Sequence, residues 1–370
     1  MTIEQMLERE VRRIGATALE KQIASELNEV NIDGGILCNY MRYHNPARWE
    51  PPKTLLTQPI IFDPSSGDII EIGKEISHTY MALDFHPNGR EIILLRQEVN
   101  HEKNQVDSST LIRFTDKGPE VVREFKETMI PMGSFQYSPD GDHFCLRALK
   151  LDRTRGTYDS ELVVGSFDKG SGSFWKALDL EPHGARIFPI YVGDFDWSPS
   201  GDRVVATYGN GLFIFEKDSY RRHELEFPDK IADIVGLMFK DEETISYFGW
   251  KFQNYKGAEY EYSISKKRTK RTSGWRNKRH FRLTSRSPDG KEKVLVKRHG
   301  IDGEIYQLGI WKRMIDTIGS FPIWSPDSSK IFYQSWNREN SDRKICIYNL
   351  KTSEKSEFST DTYISSVRWR

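Results

Sequence analysis

Residues 266–286 read KKRTKRTSGWRNKRHFRLTSR. Ten of these 21 residues are Lys or Arg, and no acidic residue stands between Glu261 and Asp289. The whole chain balances 54 basic against 54 acidic residues, so the run makes a local positive field on a neutral protein. Lys266, Lys267, Arg268, Lys270, Arg271, Arg276, Lys278 and Arg279 are the candidate anion-binding residues. The chemistry they offer is charge neutralisation of a nucleic-acid backbone, an acidic protein or another polyanion. The competing reading is a solvated outer strand with its connecting loop, where lysines keep an open sheet edge from aggregating. Trp275 and Phe281 are few aromatics for a groove that stacks single-stranded bases.

Acid–base chemistry would need carboxylates or imidazoles that converge. Asp84, Asp194 and Asp196 fall on strands read below as innermost. They could act as acid–base groups or cation ligands around a channel, or tie neighbouring sheets together through hydrogen bonds. His78, just before such a strand, is a fourth candidate for the channel lining, whereas His86 and His143 stand at turn ends and read as structural. The nine histidines form no HxH or HExxH pair. No G-x-S-x-G elbow, P-loop or strand-following G-x-G-x-x-G is present. Asp140-Gly141-Asp142 is only a turn. No cofactor and no resident metal are expected, and an enzyme is the less favoured class.

What must position these residues is a repeat. FHPNGREIILL (from Phe85), YSPDGDHFCL (from Tyr137), WSPSGDRVVAT (from Trp197), SPDGKEKVLV (from Ser287) and WSPDSSKIFY (from Trp324) share one plan. An alternating apolar string ends in an aromatic residue. Ser or His, Pro and a small polar residue, usually Gly, follow, and then a second string. Period-two alternation means half-buried strands. Pro suits the second position of a tight turn, and Asp, Asn and Gly suit the rest of it. Each copy is therefore strand, turn, antiparallel strand. A worn copy lies in IVGLMFKDEETISYFGW from Ile234, and Asn210-Gly211 marks a hairpin.

The last first strand, YISSVRW (363–369), ends the chain where its turn should begin. The missing remainder stands at the other end, in GILCNYMRY (35–43) and QPIIFDPSSGDIIEIG (58–73). The expected fold is an all-β, seven-bladed β-propeller with four-stranded blades. A C-terminal strand joins three N-terminal strands and closes it. First strands should end at Phe85, Tyr137, Trp197, Phe239, Arg286, Trp324 and Trp369. The propeller is assigned to residues 35–370 and an amphipathic helical extension to 1–34. In the extension Met6, Leu7, Val11, Ile14, Ala18, Leu19, Ile23, Leu27 and Val30 recur at helical spacing. That helix either packs on the propeller or serves docking or self-association.

The five corners resemble the WD40-like (PD40) repeats of TolB-type propellers, over roughly residues 35–370. True Gly-His…Trp-Asp repeats are absent. The resemblance implies a fold shared by protein-docking propellers and by the gating propellers of prolyl-oligopeptidase-like peptidases, and it names no catalytic residue. This chain has no room for the hydrolase domain of the latter.

The stretches joining second to third strands are polar and long in four blades that would be consecutive around the ring: NRENSDR, HNPARWEPPKTLL, EVNHEKNQVDSS and KLDRTRGTYDS. In the fourth blade the link is two residues. A raised crescent would then carry Arg42, His44, Trp49, His101, Arg153, Arg155, Tyr158, Trp336 and Arg338, rich in the Trp, Tyr and Arg that anchor interfaces. Tolerated insertion is the alternative. The sequence reads best as a non-catalytic scaffold that docks a macromolecular partner, protein above all, with nucleic acid or another polyanion as a second partner class. The alternatives are a lyase or hydrolase with its site at the channel mouth, and a nucleic-acid-associated subunit built on residues 266–286. Cys38, Cys145 and Cys346 are odd in number and sit in apolar strings, as free thiols of a reducing, cytoplasmic compartment would. No stretch is apolar enough to span a membrane.

Overall fold

The computed structural model describes residues 18–29, 34–43, 55–72, 79–100, 105–126, 129–152, 157–167, 176–178, 192–208, 211–217, 222–225, 233–251, 256–274, 281–289, 292–297, 303–307, 313–318, 322–336, 342–360 and 363–369. Among them the strands form seven four-stranded antiparallel sheets, and the chain divides into two compact units. One unit holds residues 1–137, 141–178 and 362–370; the other holds 138–140 and 179–361.

The first unit carries sheets 1 to 3. Sheet 1 runs Tyr363–Trp369, Ile36–Tyr43, Leu55–Phe62, Ile69–Glu71. The chain's last strand thus supplies the first strand of its first sheet. Ile36 pairs with Trp369, Tyr40 with Ile364 and Met41 with Tyr363, with a bulge after Leu37. Sheet 2 runs Thr79–Phe85, Ile92–Asn100, Gln105–Thr115, Gly118–Lys126. Sheet 3 runs Met129–Tyr137, His143–Asp152, Thr157–Ser166, Lys176–Leu178.

The helix Ala18–Glu29 lies on this unit. Ile23 and Ala24 are buried with Leu37, Ile61, Ile72 and Tyr80, and Leu27 covers the margin of the cluster. The same helical face carries Glu20, which is fully buried. Its carboxylate meets the Arg96 guanidinium, and Arg96 Nη2 also donates to Thr110 Oγ1 at 3.2 Å. The described part of the extension is therefore packed on its own chain. Residues 1–17 lie outside the described residues.

The second unit carries sheets 4 to 7. Sheet 4 runs Val192–Trp197, Arg203–Tyr208, Gly211–Glu216, Arg222–Leu225. Sheet 5 runs Asp233–Asp241, Thr244–Lys251, Lys256–Ser263, Arg268–Gly274. Sheet 6 runs Phe281–Arg286, Lys293–Lys297, Gly303–Gln307, Arg313–Ile318. Sheet 7 runs Ile323–Trp324, Lys330–Trp336, Arg343–Asn349, Lys355–Thr360. The middle strand Gly211–Glu216 is buried along residues 212–215, which is why it reads as an unbroken apolar run. The outermost strand Lys355–Thr360 is largely exposed, and all its residues but Phe358 are polar.

The repeated corner explains where first strands stop. The Ser287 N–H donates to the Glu292 carbonyl at 2.9 Å, while the Ser287 hydroxyl accepts from the Glu292 N–H at 2.8 Å and donates to Asp289 at 2.6 Å. Ser325 repeats all three bonds with Lys330 and Asp327. Each corner serine is buried, so its hydroxyl satisfies backbone that the turn would leave unpaired. Six of the seven first strands end at the residue expected, and the fifth runs to Asp241, two beyond Phe239.

The glycine of the corner has two jobs at Gly141. Its φ of +80° is one that side chains rarely adopt, and a Cβ there would lie 2.2 Å from His86 Nε2. His86 belongs to the corner of sheet 2. Its Nδ1 accepts from the Asn88 N–H at 3.1 Å and its Nε2 reaches the Gly141 carbonyl at 3.2 Å. These partners make Nε2 the protonated nitrogen. The ring also meets Tyr137 edge-on at 4.9 Å. Gly141→Ala is expected to displace His86 and to destabilise by about 2 kcal/mol or more, as overpacking and a left-handed backbone combine. Urea denaturation of the variant checks this.

Candidate functional site

The inner-strand carboxylates all have structural partners. Asp84 is 2% exposed. It accepts from Arg368 Nε at 2.8 Å and Nη2 at 3.0 Å, a two-pronged pair between the first strands of sheets 2 and 1. It also accepts from the Phe85 N–H at 2.9 Å. Asp194 accepts from the Gly236 N–H at 2.6 Å, and Asp196 from the Phe239 N–H at 2.8 Å. Both bonds run from the first strand of sheet 4 to the first strand of sheet 5. Asn39 does the same work between sheets 1 and 2. It donates to the Ala82 carbonyl at 3.0 Å and accepts from the Ala82 N–H at 2.6 Å. Thr57 adds a bond to the Tyr80 carbonyl at 2.8 Å. These polar groups join sheets where an all-apolar seam would leave backbone unsatisfied. His78 lies outside the described residues.

Arg368 and Asn39 were not singled out from the sequence. The signal for Arg368 was present: it precedes Trp369 as Asp84 precedes Phe85 and Asp196 precedes Trp197. One repeat position therefore holds opposite charges in adjacent sheets.

The turn of sheet 7 holds a strongly perturbed carboxylate. Asp327 accepts from the Ser325 hydroxyl at 2.6 Å, from the Ser329 hydroxyl at 2.6 Å and from the Ser329 N–H at 3.0 Å. These donors favour the ionised form and pull its pKa down to about 2. A lowered folded pKa stabilises above the unfolded value, near 4, and the contribution is lost as pH falls through about 2. Asp327→Asn is therefore expected to lower the urea midpoint at pH 7. The gap to the parent protein should close between about pH 4 and pH 2.

The long polar links resolve differently from their appearance in sequence. In sheet 2 the strands stay paired out to Asn100 with Gln105, leaving residues 101–104 between them. In sheet 3 they stay paired out to Asp152 with Thr157, leaving 153–156. EVNHEKNQVDSS and KLDRTRGTYDS are thus mostly extended hairpin arms. Their polar residues hide the strands, because such an arm has no alternating core face to show. The link of sheet 1 is residues 44–54 and that of sheet 7 is 337–342, while two residues separate the paired strands of sheet 4. Arg42, Tyr158 and Trp336 are placed near the strand ends that lead into these links. His44, Trp49, His101, Arg153, Arg155 and Arg338 lie outside the described residues.

The basic run divides likewise. Lys266 and Lys267 turn the hairpin after Lys256–Ser263, with Lys267 at φ +47°. Arg268, Lys270 and Arg271 belong to Arg268–Gly274, the outermost strand of sheet 5. All five are exposed. Arg276, Lys278 and Arg279 lie outside the described residues. Cys38, Cys145 and Cys346 are buried free thiols, and burial pushes Cys38 far above the ordinary thiol range. Among the described residues no group of His, Cys, Asp and Glu could hold a metal ion, and no helix is long and apolar enough to cross a membrane.

No protein-family model matches the sequence, and no curated protein matches it. Solved structures do. A prolyl endopeptidase structure superposes with a TM-score of 0.58 at 11% identity, over 98% of this chain and 54% of that one. A putative 6-phosphogluconolactonase from Bacteroides fragilis gives a TM-score of 0.55 at 11% identity, over 91% of this chain and 98% of that one. TolB from Acinetobacter baumannii matches more loosely, with a TM-score of 0.46 at 10% identity, over 96% and 94% of the two chains. With the five corners, the likenesses to the endopeptidase and the phosphogluconolactonase give the fold as a β-propeller with WD40-like corners. At such identities they carry the fold and nothing of the activity.

Proposed function

We propose that this propeller-fold chain is a non-catalytic platform that docks a protein partner on the ends of its sheets where second strands pass to third. In this reading the seven sheets are blades of one ring, residues 35–370 form one domain, and the links of sheets 7, 1, 2 and 3 form the docking crescent. The observation that carries it is the use of Asp84, Asp194 and Asp196 as ties between sheets. The carboxylates best placed for acid–base work are already hydrogen-bonded to backbone or to Arg368. The paired arms of sheets 2 and 3 support it further, since a pre-ordered surface loses less entropy on binding. Buried free thiols at all three cysteines favour a reducing compartment, the cytoplasm, as the place of action.

Affinity capture from the native host, with cross-linking and mass spectrometry, tests the reading. Trp49→Ala with Trp336→Ala should cut recovery of the cross-linked partner about tenfold or more, as loss of interface anchors does. Unchanged recovery, with cross-links mapping elsewhere, would remove the crescent from the account.

A further inference from the structure

The outermost strand of sheet 5 differs from the other outer strands in its charge. Gly118–Lys126 contains Glu120 and Glu124, Arg222–Leu225 contains Glu224, Arg313–Ile318 contains Asp316 and Lys355–Thr360 contains Glu357. Each of these four balances its cations within the strand; of the two short ones, Ile69–Glu71 carries one acid and Lys176–Leu178 one lysine. Arg268–Gly274 contains Arg268, Lys270 and Arg271 and no acid, and the turn before it adds Lys266 and Lys267. Protection of an open edge explains one or two lysines, and the mixed-charge strands achieve that too. It does not explain five cations in six residues.

Nearby acids leave four of the five cations unpaired among the described residues. Glu261, the cross-strand neighbour of Lys270, takes the Lys240 ammonium at 2.6 Å. Glu243 accepts from the Ser265 N–H at 3.1 Å. Lys266, Lys267, Arg268 and Lys270 form no ion pair among the described residues. The strand's backbone ladder runs only to Lys256–Ser263, and no other described strand pairs with its second edge. Thr269 stands between the cations, and Thr272 and Ser273 follow them. They suit an extended backbone and present no bulky side chain against a neighbouring strand.

We infer that Arg268–Gly274 receives an acidic, extended peptide segment of a protein partner, which adds to sheet 5 as a fifth strand. Backbone pairing supplies the register, and carboxylates on alternate residues of the segment meet Arg268 and Lys270, which share one face of the strand. A single-stranded nucleic acid would satisfy the charge but not the open edge. This surface is separate from the proposed crescent and stands or falls without it.

The test uses the full chain and a fluorescent peptide of alternating Glu and Val, with two competitors. One is the same peptide N-methylated on alternate residues, so that it keeps its charge and loses its edge donors. The other is an oligothymidylate of equal charge. The expected result is saturable binding at low salt that weakens steeply as salt rises. N-methylation, and the quadruple change Lys266→Glu, Lys267→Glu, Arg268→Glu, Lys270→Glu, should each weaken it about tenfold or more. Equal binding of the N-methylated peptide reduces the surface to unspecific charge attraction and overturns strand addition. Tighter binding of the oligothymidylate, or no peptide binding at low salt, overturns the acidic-segment assignment. The N-methyl arm uses the unaltered protein, so a variant that folds poorly does not blunt the test.

Discussion

Removing residues 363–370 is expected to abolish the cooperative melting of the first unit or to lower its midpoint by roughly 10 °C or more. Eight residues at a terminus would ordinarily fray at little cost. Here Tyr363–Trp369 is the first strand of sheet 1, paired with residues 36–41. Ile364 is fully buried and Trp369 is 7% exposed. Losing a buried Trp and a buried Ile costs about 3–5 and 2–5 kcal/mol respectively, against a total stability of about 5–15 kcal/mol. The cut also takes Arg368 away from Asp84, leaving a buried carboxylate without its partner. The backbone of Ile36–Tyr43 would become an open edge beneath the buried side chains of Leu37 and Cys38. Calorimetry of the truncated chain reads the result. A melting curve that overlays the full chain would mean the tail is an appendage.

The second large effect is expected at Glu20. Glu20→Ala leaves the Arg96 guanidinium buried between helix and sheet with Thr110 as its remaining side-chain acceptor. Breaking a buried pair from one side costs about 3–5 kcal/mol, because the stranded charge keeps its desolvation penalty. Replacing both partners by apolar groups, Glu20→Leu with Arg96→Met, removes that penalty. Most of the loss should then return. Chemical denaturation of the single and double variants separates an ion pair that specifies the helix's seat from one that supplies net stability. A double variant as unstable as the single one would show that the charges themselves hold the helix.

The two cases differ in how far the sequence announced them. The tail's place was legible because YISSVRW is a first strand without its turn, and GILCNYMRY is a second strand without its first. The corners were legible because Pro, Asp and Gly are chosen by backbone geometry. Glu20 was hidden by its charge, although it stands three, four and seven residues before Ile23, Ala24 and Leu27. Helical periodicity alone put it on the apolar face, and the presence of Arg96 beneath that face helps make the position tolerable. Arg96 comes from a strand 76 residues away, a relation that no local pattern carries. The arms of sheets 2 and 3 were hidden for another reason. A hairpin that leaves the core keeps its backbone ladder and loses the alternation that reveals strands. The carboxylates were legible as a set, and two roles remained open for them, because a channel ligand and a tie between sheets use the same residue on the same strand.

Head and tail sharing one sheet is the claim on which the rest depends, and amide hydrogen exchange measures it most directly. The account predicts that the amides of residues 364–369 exchange as slowly as their partners in residues 36–41, and that both sets lose protection together as denaturant is added. Rapid exchange of the tail beside a protected 36–41 segment would contradict it.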